Sequence, residues 1–182
     1  MLNAIDFLIR TLTELYLLLL LMRFWLPVFQ VDFRNPVAQG VLRLTSPLVI
    51  PLRRVIPSFG RVDTSTLTAA FIIQYLLISL LLQLHGAEAS ALKITIQSIL
   101  ELATLSLAMI WFVILIRIIL SWVAPHTYNP VIAMLATIAE PILRPFRQLV
   151  PPIGGLDISP IFAIVLLTFV SMILDAYKPL LM

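Results

Sequence analysis

The sequence predicts an all-α membrane protein with four transmembrane helices, arranged as a parallel repeat of two-helix units. Three observations point there. Of 182 residues, 61% are hydrophobic and only 12% are charged, against roughly 25% charged in an ordinary soluble domain. Several uncharged stretches approach the roughly 20 residues that a helix needs to cross a bilayer core. The two halves also share Pro, Gly, Asn, Arg and Asp in register.

The first span is expected at residues 5–27. Its centre, Leu15 to Met22, is strongly apolar, although Asp6, Arg10, Glu14 and Arg23 intrude. Asp6, Arg10 and Glu14 recur every four residues, so mutual ion pairing on one helix face is expected. The second span, at 65–85, lies in a stretch (64–87) without Asp, Glu, Lys or Arg. A hydrophilic joint at 85–93 leads to a third span at 96–123, interrupted by Arg117. The fourth, at 159–178, begins in the uncharged run 158–174. The units are therefore placed at 1–88 and 89–182.

Two Pro-rich segments, 28–63 and 124–157, join the spans within each unit. With an offset of 94 residues, positions 23–65 match 117–159 at 12 of 43 places. The matches include Arg23/Arg117, Asn35/Asn129, Pro36/Pro130, Arg53/Arg147, Gly60/Gly154, Asp63/Asp157 and Ser65/Ser159. Shared Leu would mean little in membrane spans, whereas this set indicates duplication. Both copies insert with the same orientation, so the repeat is parallel and not inverted.

Asn35-Pro36 and Asn129-Pro130 read as helix starts, with Asn as N-cap and Pro preset for the first helical position. Val37, Val41, Leu44 and Leu48 form an apolar stripe, repeated by Val131, Leu135, Ile138 and Ile142. Pro47 and Pro141 are expected to end or kink these helices. A second amphipathic turn follows at 51–57 and 145–151, lying at the headgroup boundary. Gly60 and Gly154 permit the positive φ of a return turn. Ser65 and Ser159 are expected to cap the returning spans.

Seven of the twelve basic residues lie in the two Pro-rich segments. The positive-inside rule places those segments in the cytoplasm and both termini outside. The same reading explains the net charge of +3 without nucleic acid. With no Cys and two separated His, thiolate and His-based metal sites are excluded. No cofactor motif appears. Ser121 has only His126 nearby in sequence, without an acid partner, so no enzyme is expected.

The candidate functional residues are therefore charged ones. Arg23 and Arg117 sit inside span ends, as ion contacts or as partners of Asp63 and Asp157. Those Asp residues favour a helix N-terminus or could ligate a cation. Glu14 and Glu101 are the deepest carboxylates and the best proton or cation candidates. Arg53, Arg54, Arg144 and Arg147 are candidate contacts to lipid headgroups or a partner.

The stretch from Arg117 to Pro160 closely resembles the signature of the YggT family, also called YlmG. The matching elements are Arg117, Ser121-Trp122, Asn129-Pro130, Glu140-Pro141, Arg144-Pro145, Arg147, Pro151, Gly154-Gly155, Asp157 and Ser159-Pro160. The first unit departs from it at Pro27-Val28, Ser46, Ile50, Arg61 and Thr66. The resemblance implies a multi-pass protein of the bacterial cytoplasmic membrane with no established catalysis. Bacterial members are linked to osmotic tolerance, cation homeostasis and cell division, and plastid members to cytochrome maturation and nucleoid organisation. An accessory role with lipids, other membrane proteins or further copies of the chain is the expectation. A small cation channel or transport accessory, working as an oligomer, is the alternative.

Overall fold

The computed structural model describes residues 2–123, 129–150 and 157–179. These form six α-helices and no strand: α1 Leu2–Val28, α2 Pro36–Arg53, α3 Thr64–Leu84, α4 Ala91–Val123, α5 Pro130–Leu149 and α6 Ser159–Ala176. Three of them, α3, α4 and α6, are long and apolar enough to cross a membrane. α1 is as long, but carries Asp6, Arg10, Glu14 and Arg23 and is not among the three.

The two halves pack alike. α1 lies against α3 and α2 as α4 lies against α6 and α5. Across the halves, α4 touches α3 and α1, and α2 meets α5. The largest core cluster sits at this junction, where Leu21 and Leu26, Ala38 and Val41, Ile110 and Ile114, and Ile138 and Leu143 come together. Asn35 Nδ2 also donates across the repeat to the Pro130 carbonyl at 2.7 Å.

α2 and α5 begin as the Asn-Pro dipeptides dictate. Asn35 Oδ1 accepts the Val37 amide and Asn129 Oδ1 the Val131 amide, both at 2.9 Å. Their ends differ from the expectation. Neither Pro47 nor Pro141 stops its helix, and the separate second turn is absent: α2 runs through Pro47 and Pro51, α5 through Pro141 and Pro145. In each helix the two prolines are four residues apart and exposed. The carbonyls they leave unpaired therefore share an outward face, where water or headgroups can satisfy them. The buried stripe of α2 is also rotated from the expected one, to Ala38, Val41, Thr45 and Val49, leaving Leu44 exposed. In α5 it is Met134, Leu135, Ile138, Ala139 and Leu143, with Val131 exposed.

Between α2 and α3 the chain turns on Phe59–Val62, whose amides and carbonyls pair reciprocally at 3.0 and 3.1 Å. Gly60 has φ +58° at the first central position, the geometry of a type II′ turn. Gly154 lies outside the described residues. α4 starts five residues earlier than the expected span, at Ala91. Its 33 residues extend to about 50 Å, beyond an average hydrocarbon core. The joint before it turns on Gly86, φ +63°.

Gly60→Ala adds a side chain to the left-handed region and is expected to cost about 1–2 kcal/mol. Thermal unfolding in detergent checks this, against Gly40→Ala, a helical glycine with open space around its Cβ position, as the control expected to show no loss.

Candidate functional site

The charged residues shared by the two units assemble into a clamp at the same place in each. The second copy alternates in sign along its length. Arg117 Nη1 donates to Glu140 Oε2 at 3.1 Å, and Arg147 Nη1 donates to both Glu140 oxygens at 2.7 and 2.9 Å. Arg147 Nε reaches Asp157 Oδ2 at 2.7 Å. Asp157 Oδ1 in turn accepts the Ser159 amide at 3.0 Å and the Ser159 hydroxyl. Glu140 and Arg147 stand seven residues apart on α5, so two helical turns bring them to one face.

In the first copy, Arg53 pairs with Asp63. Asp63 Oδ1 accepts the Ser65 hydroxyl at 2.7 Å and the Thr66 amide at 3.3 Å, and Oδ2 accepts the Thr66 hydroxyl at 2.8 Å. Position 46, the counterpart of Glu140, is Ser. Arg23 accordingly turns to neutral groups: Nη1 donates to Thr45 Oγ1 at 2.9 Å, and to the Leu42 carbonyl and Ser46 Oγ at 3.2 Å. Its Nε lies 3.9 Å from Asp63 and has no hydrogen-bond partner, although Arg23 is only 5% exposed.

These contacts revise several expectations. Asp63 itself caps α3, and Ser65 hydrogen-bonds to that cap instead of acting as one. Ser159 is the first residue of α6, held by Asp157, and its side chain caps nothing. Arg117 pairs with Glu140 and not with Asp157. Arg53 and Arg147 are engaged inside the clamps, whereas Arg54 and Arg144 are exposed and form no ion pair among the described residues. Glu140, expected only as an element of the family motif, is the link between Arg117 and Arg147. Its spacing from Arg147 was the available signal.

Burial is the largest influence on the Asp63 carboxyl and opposes its ionisation. Hydrogen bonds from Ser65 and Thr66, with the Arg53 charge, outweigh it and hold the group below its usual range. Glu140 is likewise lowered, its burial overcome by Arg147 and Arg117, and Asp157 by Ser159 and Arg147.

A second polar feature lies toward the other end of the helices. A cavity of about 340 Å³ between α1, α3, α4 and α6 is lined by Arg10, Glu14, Gln74, Glu101, Asp175 and Lys178, among others. Glu101 accepts from Gln97 Nε2 at 2.6 Å and from Gln74. Lys178 donates to Asp175 at 2.6 Å and to Thr104 Oγ1 at 3.1 Å. The expected pairing of Arg10 with Asp6 and Glu14 does not form; Asp6 instead meets His85 Nε2 at 2.9 Å. Gln74, an uncharged polar residue inside an apolar span, was the overlooked clue. Among the described residues, no group of three or more His, Asp or Glu side chains converges as a metal site.

Three helices of this length and apolarity, with like charged clamps in the two halves, are those of a helical protein compatible with a multi-pass place in a membrane. A family model described as CCB3/YggT matches it twice, at residues 2–84 and 96–177. The chain belongs to the YggT family. It is 44% identical over 173 residues to an uncharacterized protein of Pseudomonas aeruginosa, covering 94% of this chain and 88% of that one. It is 36% identical over 174 residues to the uncharacterized protein YggT of Escherichia coli, covering 93% and 88%. A chloroplastic YlmG homolog of Arabidopsis thaliana is 38% identical over 55 residues, which is 30% of this chain and 22% of that one. No solved structure matches.

Because the clamp carboxylates are held below their unfolded values, their contribution to stability is full above about pH 4–5. It disappears as pH falls through the lowered native values. Melting temperature in detergent should therefore stay level from pH 7 to 5 and drop below that. Asp63→Asn, which keeps a capping oxygen but removes the charge, should cost about 1–3 kcal/mol at neutral pH and flatten part of the acid slope.

Proposed function

We propose that this protein is a non-enzymatic, four-span protein of the bacterial cytoplasmic membrane with an accessory or organising role, in complex assembly, division or osmotic tolerance. α1 is the fourth span. Its apolar centre and its packing on α3, which mirrors α4 on α6, support that placement. Arg23 inside it donates hydrogen bonds to acceptors on α2, which reduces the cost of burying the charge. By the positive-inside rule the clamps face the cytoplasm and the termini lie outside.

The observation that carries the organising role is how the polar groups are distributed. Most clamp charges are matched within the chain, as befits a fixed scaffold and not a catalytic centre. Outward, the molecule presents apolar flanks, including Ile161, Phe162, Val165 and Phe169 of α6, and the exposed arginines Arg54 and Arg144. Such surfaces suit lipid, other membrane proteins or a second copy of the chain. The relatives called YggT and YlmG are compatible with this reading, and no nucleic acid is invoked.

The polar cavity favours a second reading, a cation channel or transport accessory for an ion such as potassium. Glu14, Glu101 and Asp175 would supply the negative charge, against Arg10 and Lys178 in the same cavity.

Two experiments decide between these. Crosslinking in native membranes should capture defined partners, and charge reversal of Arg54 and Arg144 together should abolish the capture while leaving melting temperature unchanged; an unaltered crosslinking pattern overturns the organising role. In proteoliposomes, the cation reading requires potassium flux that Glu101→Gln reduces about tenfold or more, and the absence of flux removes it.

A further inference from the structure

The two clamps differ in charge, and the difference has a shape. In the second unit Arg117 and Arg147 face Glu140 and Asp157, and the sum is zero. The first unit has Ser46 where the second has Glu140, and Arg61 where the second has Gly155. Arg23, Arg53 and Arg61 thus face Asp63 alone, leaving an excess of two positive charges around one cavity. That cavity has a volume of about 230 Å³, with Ser58 and Gly60 completing the polar part of its wall. At roughly 30 Å³ per water, this is room for a tetrahedral oxyanion with solvent to spare.

Among the described residues that line this cavity, Asp63 is the one acid, 3.9 Å from Arg23 Nε. Asp63 is committed to Arg53, Ser65 and Thr66. Arg23 is 95% buried, and its Nε points at no acceptor within hydrogen-bond distance. A buried guanidinium with an unused donor is costly, and a charge-assisted acceptor relieves that cost. Arg61 is exposed, and its guanidinium donates to the side-chain oxygen of Gln30, a neutral acceptor that leaves its charge unbalanced. We propose that the first unit's clamp binds a phosphate group in this cavity, held by Arg23 and Arg61 with Arg53 at its edge. The guanidinium fork matches phosphate oxygens in a way that a lysine would not. A lipid headgroup and free phosphate share this chemistry. The inference does not depend on the organising role, and failure to capture a partner leaves it standing.

The test uses the full chain with two probes. Inorganic phosphate is titrated against detergent-purified protein by calorimetry. Separately, the protein is placed in nanodiscs of phosphatidylcholine with or without phosphatidylglycerol, and retained lipid is counted by native mass spectrometry. One saturable phosphate group per chain is expected from at least one source, and the two arms say which. Ser46→Glu supplies the missing carboxylate and should weaken binding about tenfold or more, as should Arg61→Ala at an exposed position. Ser46→Glu should also raise the melting temperature measured without added phosphate. If neither probe binds saturably, or if both variants bind like the parent, the proposal fails. Should Ser46→Glu not fold, Arg61→Ala decides alone.

Discussion

The pairing of Arg53 with Asp63, and of Arg147 with Asp157, is the contact from which the rest of each unit follows. It ties the C-terminal turn of an amphipathic helix to the N-terminus of the span that comes after it. At that N-terminus the first amides have no carbonyl partners of their own. The aspartate supplies an acceptor for them, and its charge complements the helix dipole. The arginine then holds the aspartate. One ion pair therefore sets how the amphipathic helix meets the long apolar helix that follows it.

A polar link of this kind suits a protein with few charges. A polar group buried between apolar helices is costly unless it finds a partner within the fold. Thr45 illustrates the rule. It is fully buried in α2, where an apolar residue would normally sit, because its hydroxyl accepts from Arg23 and donates to the Val41 carbonyl at 2.6 Å. Placing that threonine inward turns the whole helix, which is why Leu44 ends up outside.

That rotation marks the boundary of what could be read from sequence. Asn35-Pro36 and Asn129-Pro130 announce their helix starts because capping is local chemistry. The registers of α3, α4 and α6 are legible because length and apolarity decide them. The stripe on α2 is not, since in a membrane setting apolar side chains serve both lipid and core, and periodicity does not separate the two. Pro47 and Pro141 do not end their helices for a related reason. Their usual penalty assumes an interior face, and here the freed carbonyls point outward. The pairing of Arg117 with Glu140 and of Glu101 with Gln74 depended on contacts between distant segments, although the seven-residue step from Glu140 to Arg147 lies within one helix.

The duplicated arginines also bear on how the amphipathic helices serve the spans. Arg23 near the end of α1 and Arg117 near the end of α4 each carry a charge that lipid would not welcome. Each is met from the helix that follows, by Leu42, Thr45 and Ser46 of α2 in one case and by Glu140 of α5 in the other. The amphipathic helix is therefore part of what lets its preceding helix sit where it does. The two units solve this problem unequally. Glu140 neutralises its arginines with a charge built into the chain, so α5 docks on α4 unaided. Ser46 offers only a hydroxyl, so α2 meets Arg23 with neutral groups alone, while Asp63 is left as the one carboxylate facing the arginines of that clamp.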